Sequence, residues 1–231
     1  MRAGEDRPMI GTLVAVPIAI VPQDMAPPVP FWTRPDSPTD ALVIREIFSE
    51  NVYRVAQADI EGGTVIDIGA NIGAFSVLAL VRGAQRVIAV EPEPDNAMVL
   101  GANISPYPSI THRSVAIWSE AGTLQLAPAH GGTRVDLTGA LAVLSLPLAA
   151  LFTDEAIEEC AVLKMDIEGA EYEVMRVTPS ALLAKVRYIT MEFHNTDAET
   201  FGALVAKLTQ THAVQTLGSY ERGGYIYARR Y

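Results

Sequence analysis

Residues 64–75 read Thr-Val-Ile-Asp-Ile-Gly-Ala-Asn-Ile-Gly-Ala-Phe, and no other stretch constrains the fold as much. A short apolar run ends in Asp67 and Gly69, and Ile72 to Val81 then follows at helical spacing, with Gly83 placed to cap its end. Gly69 and Gly73 allow a tight turn and a close backbone approach, and the free N–H groups of the new helix face the same spot. This is a strand–loop–helix unit of the kind that holds a nucleotide.

The units around it repeat the alternation. Arg86 to Glu91 reads as a second strand, Pro94 to Ile104 as a second helix and Ile110 to Ile117 as a third strand. Beyond an irregular stretch over 119–150, where Thr123 to Leu126 suggests a hairpin or extra strand and Val143 to Leu148 another strand, a short helix is expected around 154–159. Ala161 to Asp166 and Tyr188 to Phe193 read as further strands, with helices from about Ala170 and over Asp197 to Thr209. Ala213 to Tyr220 and Tyr225 to Arg229 close the chain as a hairpin. Strands alternating with helices imply a parallel sheet covered on both faces, with ligands at the carboxyl ends of the strands. The one core is expected over 60–231. Residues 1–59 are expected to be an N-terminal arm and helix that cover it: an extended apolar run from Met9 to Val21, a proline-rich linker over 22–38, a helix over 39–49 and a short strand from Asn51 to Ala56.

Charge and cysteine content remove several classes. Lys and Arg total 17 against 27 Asp and Glu, a net charge of −10, which argues against a nucleic-acid partner and against attachment to anionic lipid. The Met9–Val21 run holds Pro17 and is too short to span a bilayer, for which about 20 residues are needed; a soluble cytoplasmic chain is expected. The single Cys160 cannot form an intramolecular disulfide and is expected in the core.

Which nucleotide the first loop holds follows from its side chains. A dinucleotide fingerprint wants a second glycine where Asn71 stands, and a carboxylate at Asp67 pointing into the site would repel a pyrophosphate. A ligand with an ammonium group and no phosphate suits Asp67 better, and S-adenosylmethionine is one. Glu91, ending the second strand, is placed to accept from both ribose hydroxyls. Ser114, Val115 and Ala116, at the end of the third strand, are expected near the adenine. Lys164-Met-Asp166-Ile-Glu168-Gly169-Ala-Glu171 puts three carboxylates where the fourth core strand meets its helix. Asp166 is expected at the reaction centre, where it touches the cofactor as well as the acceptor, and Glu171 to stabilise the helix start. Glu192 and His194 end the neighbouring strand, where His194 has the chemistry of a base or of a structural hydrogen-bonder. A divalent metal on Asp166 with Glu192 or His194 has no dedicated ligand spacing behind it. His112 and His212 are expected to be structural, and His130, beside Gly131 and Gly132, to lie in a loop with the makings of a lid.

Taken together, Asp40-Ala-Leu-Val-Ile-Arg-Glu-Ile-Phe-Ser-Glu-Asn-Val-Tyr53, Val65 to Gly73, Val90-Glu-Pro92, Leu163 to Glu171, and Glu192 with His194 resemble the FkbM family of S-adenosylmethionine-dependent methyltransferases. The resemblance covers about residues 36–195. It implies an α/β, Rossmann-like class I methyltransferase fold with a seven-stranded, mostly parallel sheet and a C-terminal antiparallel hairpin. It further implies methyl transfer, typically to an oxygen of a sugar, polyketide or related metabolite. By the same resemblance Asp67, Gly69, Ala70, Asn71, Gly73 and Glu91 match cofactor positions, and Asp166 and Glu168 the active-site segment. One departure stands out: Leu146-Pro147-Leu148 replaces the Leu-Asp that family members often carry there. The alternatives are a non-catalytic module that binds the cofactor, transfer to an amine or peptide nitrogen, and a nicotinamide oxidoreductase, which fits poorly at Asn71. The acceptor is expected to be a small molecule.

Overall fold

The computed structural model describes residues 13–18, 29–35, 37–129, 132–136 and 138–231; His130 and half of the N-terminal run and linker lie outside them. In chain order, β1 (Val14–Ile18) and β2 (Val29–Thr33) form an antiparallel ribbon. Helix α1 (Pro38–Ile44) runs on as a π-helical stretch, Arg45–Glu50, and is followed by α2 (Gln57–Ile60). Next come β3 (Thr64–Ile68), α3 (Ala74–Val81), β4 (Arg86–Val90), α4 (Pro94–Ile104) and β5 (Ile110–Arg113). The insertion contains β6 (Ala116–Ile117), β7 (Gly122–Ala129), β8 (Gly132–Val135), β9 (Leu141–Leu146) and α5 (Leu148–Asp154). The chain closes with β10 (Cys160–Met165), α6 (Glu171–Val177), α7 (Ser180–Leu183), β11 (Val186–Phe193), α8 (Ala198–Leu208), β12 (His212–Ser219) and β13 (Gly223–Arg230).

Seven strands make the main sheet, in the order β12-β13-β11-β10-β3-β4-β5. From β11 to β5 all neighbours are parallel, and β13 runs antiparallel between β11 and β12. The expected mostly parallel sheet and closing hairpin are therefore present. Its middle strands are continuously apolar because both faces are covered. Val65, Val87 and Val162 point into one apolar layer with α3 and α4, while Ile66, Ile88 and Leu163 point into the other with α5, α6 and α8. Successive residues of a strand face opposite sides, so each strand feeds both layers. Cys160 is buried in the second layer, and burial pushes its thiol up to about 12, leaving it inert. His212 is buried and bonds the Val186 carbonyl through Nε2 at 3.0 Å.

Three local expectations differ from the structure. The stretch 110–117 is two strands: β5 stays in the main sheet, and a bend at Ser114 and Val115 sends β6 into a second, four-stranded sheet ordered β6-β9-β7-β8. The helix expected at 154–159 sits earlier, at Leu148–Asp154, because Pro147 occupies its N-cap with a φ of −71°, already set for a helix start. Asn51 to Ala56 is a turn, not a strand. Asn51 and Arg54 take positive φ, 48° and 49°, and side chains satisfy the backbone. Tyr188 Oη and Thr190 Oγ1 donate to the Tyr53 carbonyl at 3.1 and 3.0 Å, and Tyr227 Oη donates to the Val52 carbonyl at 2.7 Å.

Candidate active site

A cavity of about 400 Å³ opens at the carboxyl ends of β3, β4, β10 and β11. The strand order reverses between β3 and β10, and such a switch point is where open α/β sheets bind ligands. Its walls include Gly69, Ala70, Asn71, Glu91, Val115 and Ala116 beside Glu46, Tyr53, Asp166, Glu168, Glu192 and His194. Leu126 and Val135, from β7 and β8, line it from the insertion. Ten of the residues singled out in the sequence, Glu192 among them, thus line one space. Asp67, Gly73 and Ser114 are not among its lining residues.

Gly69 is the tightest point. Its φ is +73°, and a Cβ there would lie 1.7 Å from the Asp166 carbonyl oxygen. The loop leaving β3 presses on the end of β10, which brings the glycine loop and Asp166 together. Gly69→Ala is expected to abolish this packing, seen as loss of soluble folded protein or a much lowered thermal midpoint.

Asp67 differs from its expected placement. Its carboxylate is fully buried beneath the loop and accepts from Ser76 Oγ at 2.7 Å, with Lys164 Nζ 3.2 Å away. Lys164 faces Asp67 across the β3–β10 register and also donates to the Gly69 carbonyl at 2.6 Å. The pair ties loop to strand from below. Gly73 is the N-cap of α3, at φ 86°, and Ser114 is exposed.

Glu91 is buried at the end of β4, its two oxygens accepting from the backbone N–H groups of Asn71 (2.8 Å) and Glu93 (2.9 Å). Burial outweighs these bonds and pushes its carboxyl up to about 7. Each carboxylate oxygen has two lone pairs, so both retain capacity for a further donor. His112 Nε2 lies 3.1 Å from the Glu91 carbonyl.

Strand β10 stops at Met165, and Glu168 and Gly169 turn the chain with positive φ, 56° and 99°. This turn leaves Glu168 Oε2 3.3 Å from His194 Nε2. The other ring nitrogen, Nδ1, is 2.5 Å from Oε1 of Glu171, which is fully buried at the start of α6. Glu171 is therefore more than a helix-start charge; it clamps His194. Burial opposes the imidazolium, but the bonds to Glu168 and Glu171 win and raise His194 to about 11. The contacts to Glu168 and Glu171 favour the charged ring and match the structural hydrogen-bonder among the two roles expected of His194. A raised pKa stabilises the fold fully below the unfolded value of about 6.5 and loses that stabilisation as pH rises toward about 11. The gap in thermal midpoint between the native chain and His194→Gln should therefore shrink from pH 6 to pH 10; a constant gap contradicts the clamp.

Asp166 Oδ2 accepts from Tyr53 Oη at 2.9 Å. Burial, then the charge of Asp166, pushes Glu192 up to about 7. Strand alternation sends Phe193 into the core, where it is 1% exposed, and leaves Glu192 and His194 on the cavity. Among the described residues no group of three or more His, Cys, Asp and Glu side chains is arranged to hold a metal ion. None of their helices is long and apolar enough to cross a membrane. Sequence reasoning missed the contributions of Glu46, Tyr53 and Lys164. All three lie inside segments that carry the family resemblance, but nothing in their spacing shows what they touch.

A sheet of this order, with a glycine loop after β3, an acidic residue ending β4 and one reversed strand in the closing hairpin, defines a Rossmann-like methyltransferase fold. More narrowly, the chain belongs to the FkbM methyltransferase family: the Methyltransferase FkbM domain model matches residues 67–227. It is 27% identical over 158 residues to the hexuronic acid methyltransferase AglP of Haloferax volcanii, covering 65% of each chain. It is 26% identical over 211 residues to the 31-O-demethyl-FK506 methyltransferase FkbM of Streptomyces tacrolimicus, covering 72% of this chain and 79% of that one. The solved methyltransferase FkbM of Methylobacillus flagellatus superposes with a TM-score of 0.50 at 15% identity, over 80% of this chain and 47% of that one. The chain thus spans about two thirds of AglP and about half of the solved relative.

Proposed function

We propose that this chain transfers a methyl group from S-adenosylmethionine to a hydroxyl group of a small-molecule or sugar-containing acceptor. One observation carries the reading: a single cavity at the switch point joins the Gly69–Asn71 loop and Glu91 to Asp166, Glu168 and Glu192. The residues present fit the cofactor. Glu91 retains acceptor capacity for ribose hydroxyls, Val115 and Ala116 offer an apolar wall for a base, and the carboxylates suit a sulfonium and an ammonium. When bound, S-adenosylmethionine supplies an electrophilic methyl. The chain supplies alignment, which accounts for much of the rate in such reactions, and Asp166 holds a carboxylate at the acceptor end for the leaving proton. The buried Asp67–Lys164 pair fixes the loop, Asp67 from beneath it and Lys164 from the cavity wall. Relatives named for a hexuronic acid and for an O-demethyl natural product support an oxygen-bearing metabolite as acceptor.

A thermal-shift comparison tests the cofactor. S-adenosylmethionine should raise the unfolding midpoint and NAD should leave it unchanged; stabilisation by NAD alone would overturn the reading.

A further inference from the structure

The segment Asn51–Ala56 is built at a cost that its own sequence does not explain. Asn51 and Arg54 hold left-handed backbone on both sides of Tyr53, a conformation that non-glycine residues adopt rarely and that clusters at functional sites. The turn is pinned from the sheet by Tyr188, Thr190 and Tyr227, and from α3 by Arg82, which donates to the Val55 carbonyl. The Tyr53 ring is 4% exposed and packs edge-on against Phe75 and Tyr225, with centroids 5.6 and 5.9 Å away. Lys164 Nζ lies 5.3 Å from the ring centroid. All of this fixes one phenol hydroxyl, and that hydroxyl donates to Asp166 Oδ2 at 2.9 Å. Among the described residues no donor is bonded to the other oxygen, Oδ1, and Asp166 lines the cavity.

We propose that Tyr53 is a positioning residue: it holds Asp166 by Oδ2 so that Oδ1 faces the acceptor and takes its proton. The inference rests on the methyl-transfer reading. In the step it serves, the acceptor oxygen forms a bond to the methyl carbon as the carbon–sulfur bond breaks with its electron pair on sulfur. The hydroxyl proton passes to Asp166 Oδ1, so the positive sulfonium and the negative carboxylate are both neutralised. Burial and the charge of Asp166 keep the Tyr53 phenol protonated well above its usual range, so it remains a donor throughout.

Tyr53→Phe in the full chain tests this, because it keeps the ring packing and removes only the hydroxyl. Three readouts are needed. The affinity for S-adenosylhomocysteine by calorimetry should stay within about two-fold. Transfer of label from methyl-labelled S-adenosylmethionine into a small-molecule extract of the source cells should slow by about ten-fold or more, less than the roughly 10²- to 10⁴-fold of a whole general-base contribution because Asp166 itself remains. The pH at which the Asp166 carboxylate ¹³C resonance moves, assigned with Asp166→Asn, should rise, since a carboxylate that loses a donor keeps its proton to higher pH. Lys164, Glu46, Glu192, Glu171 and His194 also act on Asp166, and they are common to both proteins, so the difference isolates the hydroxyl. An unchanged ¹³C midpoint overturns the proposal. So does a loss of S-adenosylhomocysteine affinity that matches the loss of rate, which would mark a structural role. A native chain that neither binds S-adenosylhomocysteine nor transfers label refutes the methyl-transfer reading itself, while the ¹³C comparison still reports the Tyr53–Asp166 bond.

Discussion

Lys164→Met is expected to be the most destabilising single replacement of a polar side chain in this protein. Lys164 and Asp67 have side chains 5% and 0% exposed, with the ammonium 3.2 Å from the carboxylate. Burial works against the ammonium, but Asp67 and Asp166 more than compensate and hold its pKa above the usual lysine range. Removing the lysine leaves Asp67 as an uncompensated buried charge, for which losses of about 3–5 kcal/mol are typical. For a domain of this length that is a fall in thermal midpoint of roughly 6–20 °C. The Gly69 carbonyl also loses its donor, so the loop above should loosen. The double variant Asp67→Asn with Lys164→Met removes both charges and should recover part of the loss. Thermal unfolding of the three proteins checks this, and a single variant as stable as the native chain would mean that the pair does not tie loop to strand.

Asp166→Asn is expected to have the largest effect on the reaction while sparing the fold. The amide retains the shape of the carboxylate and still accepts from Tyr53, but it cannot take a proton. General-base contributions are typically 10²- to 10⁴-fold, so label transfer should fall by about that factor. Affinity for S-adenosylhomocysteine should change less than the rate, because the Gly69 loop meets Asp166 through its backbone carbonyl, which the substitution keeps, and Glu91 is held by Asn71 and Glu93. Methyl-label kinetics beside calorimetry separate the two. A rate within a few-fold of the native chain would remove Asp166 from proton transfer.

Much of the sheet was legible because its signals are local. Apolar runs ending at Gly69, Glu91 and Asp166 are strands that stop at the ligand edge, and Pro94 and Asp197 mark helix starts at the expected places. What escaped depends on contacts between distant residues. The Asn51–Ala56 segment has strand-like composition, yet its carbonyls are taken by Tyr188, Thr190 and Tyr227, more than 130 residues away, and no local pattern announces that. Asp67 reads as a ligand-facing carboxylate until the β3–β10 register sets Lys164 against it. His194 reads equally as a base or a structural hydrogen-bonder, and only the fold shows the left-handed turn at Glu168 and the buried Glu171 closing on both ring nitrogens. In each case the residue type was visible in the sequence and its protonation or orientation was set by a partner brought in by the fold.

The central claim is that the cavity at the β3–β10 switch point carries out methyl transfer to a small molecule. Incubating the full chain with methyl-labelled S-adenosylmethionine and a small-molecule extract of the source cells, followed by mass spectrometry, tests it most directly. The account predicts a labelled product that bears the methyl on oxygen, formed by the native chain and strongly reduced by Asp166→Asn. Label that reaches no small molecule, or reaches one equally well with Asp166→Asn, would contradict it.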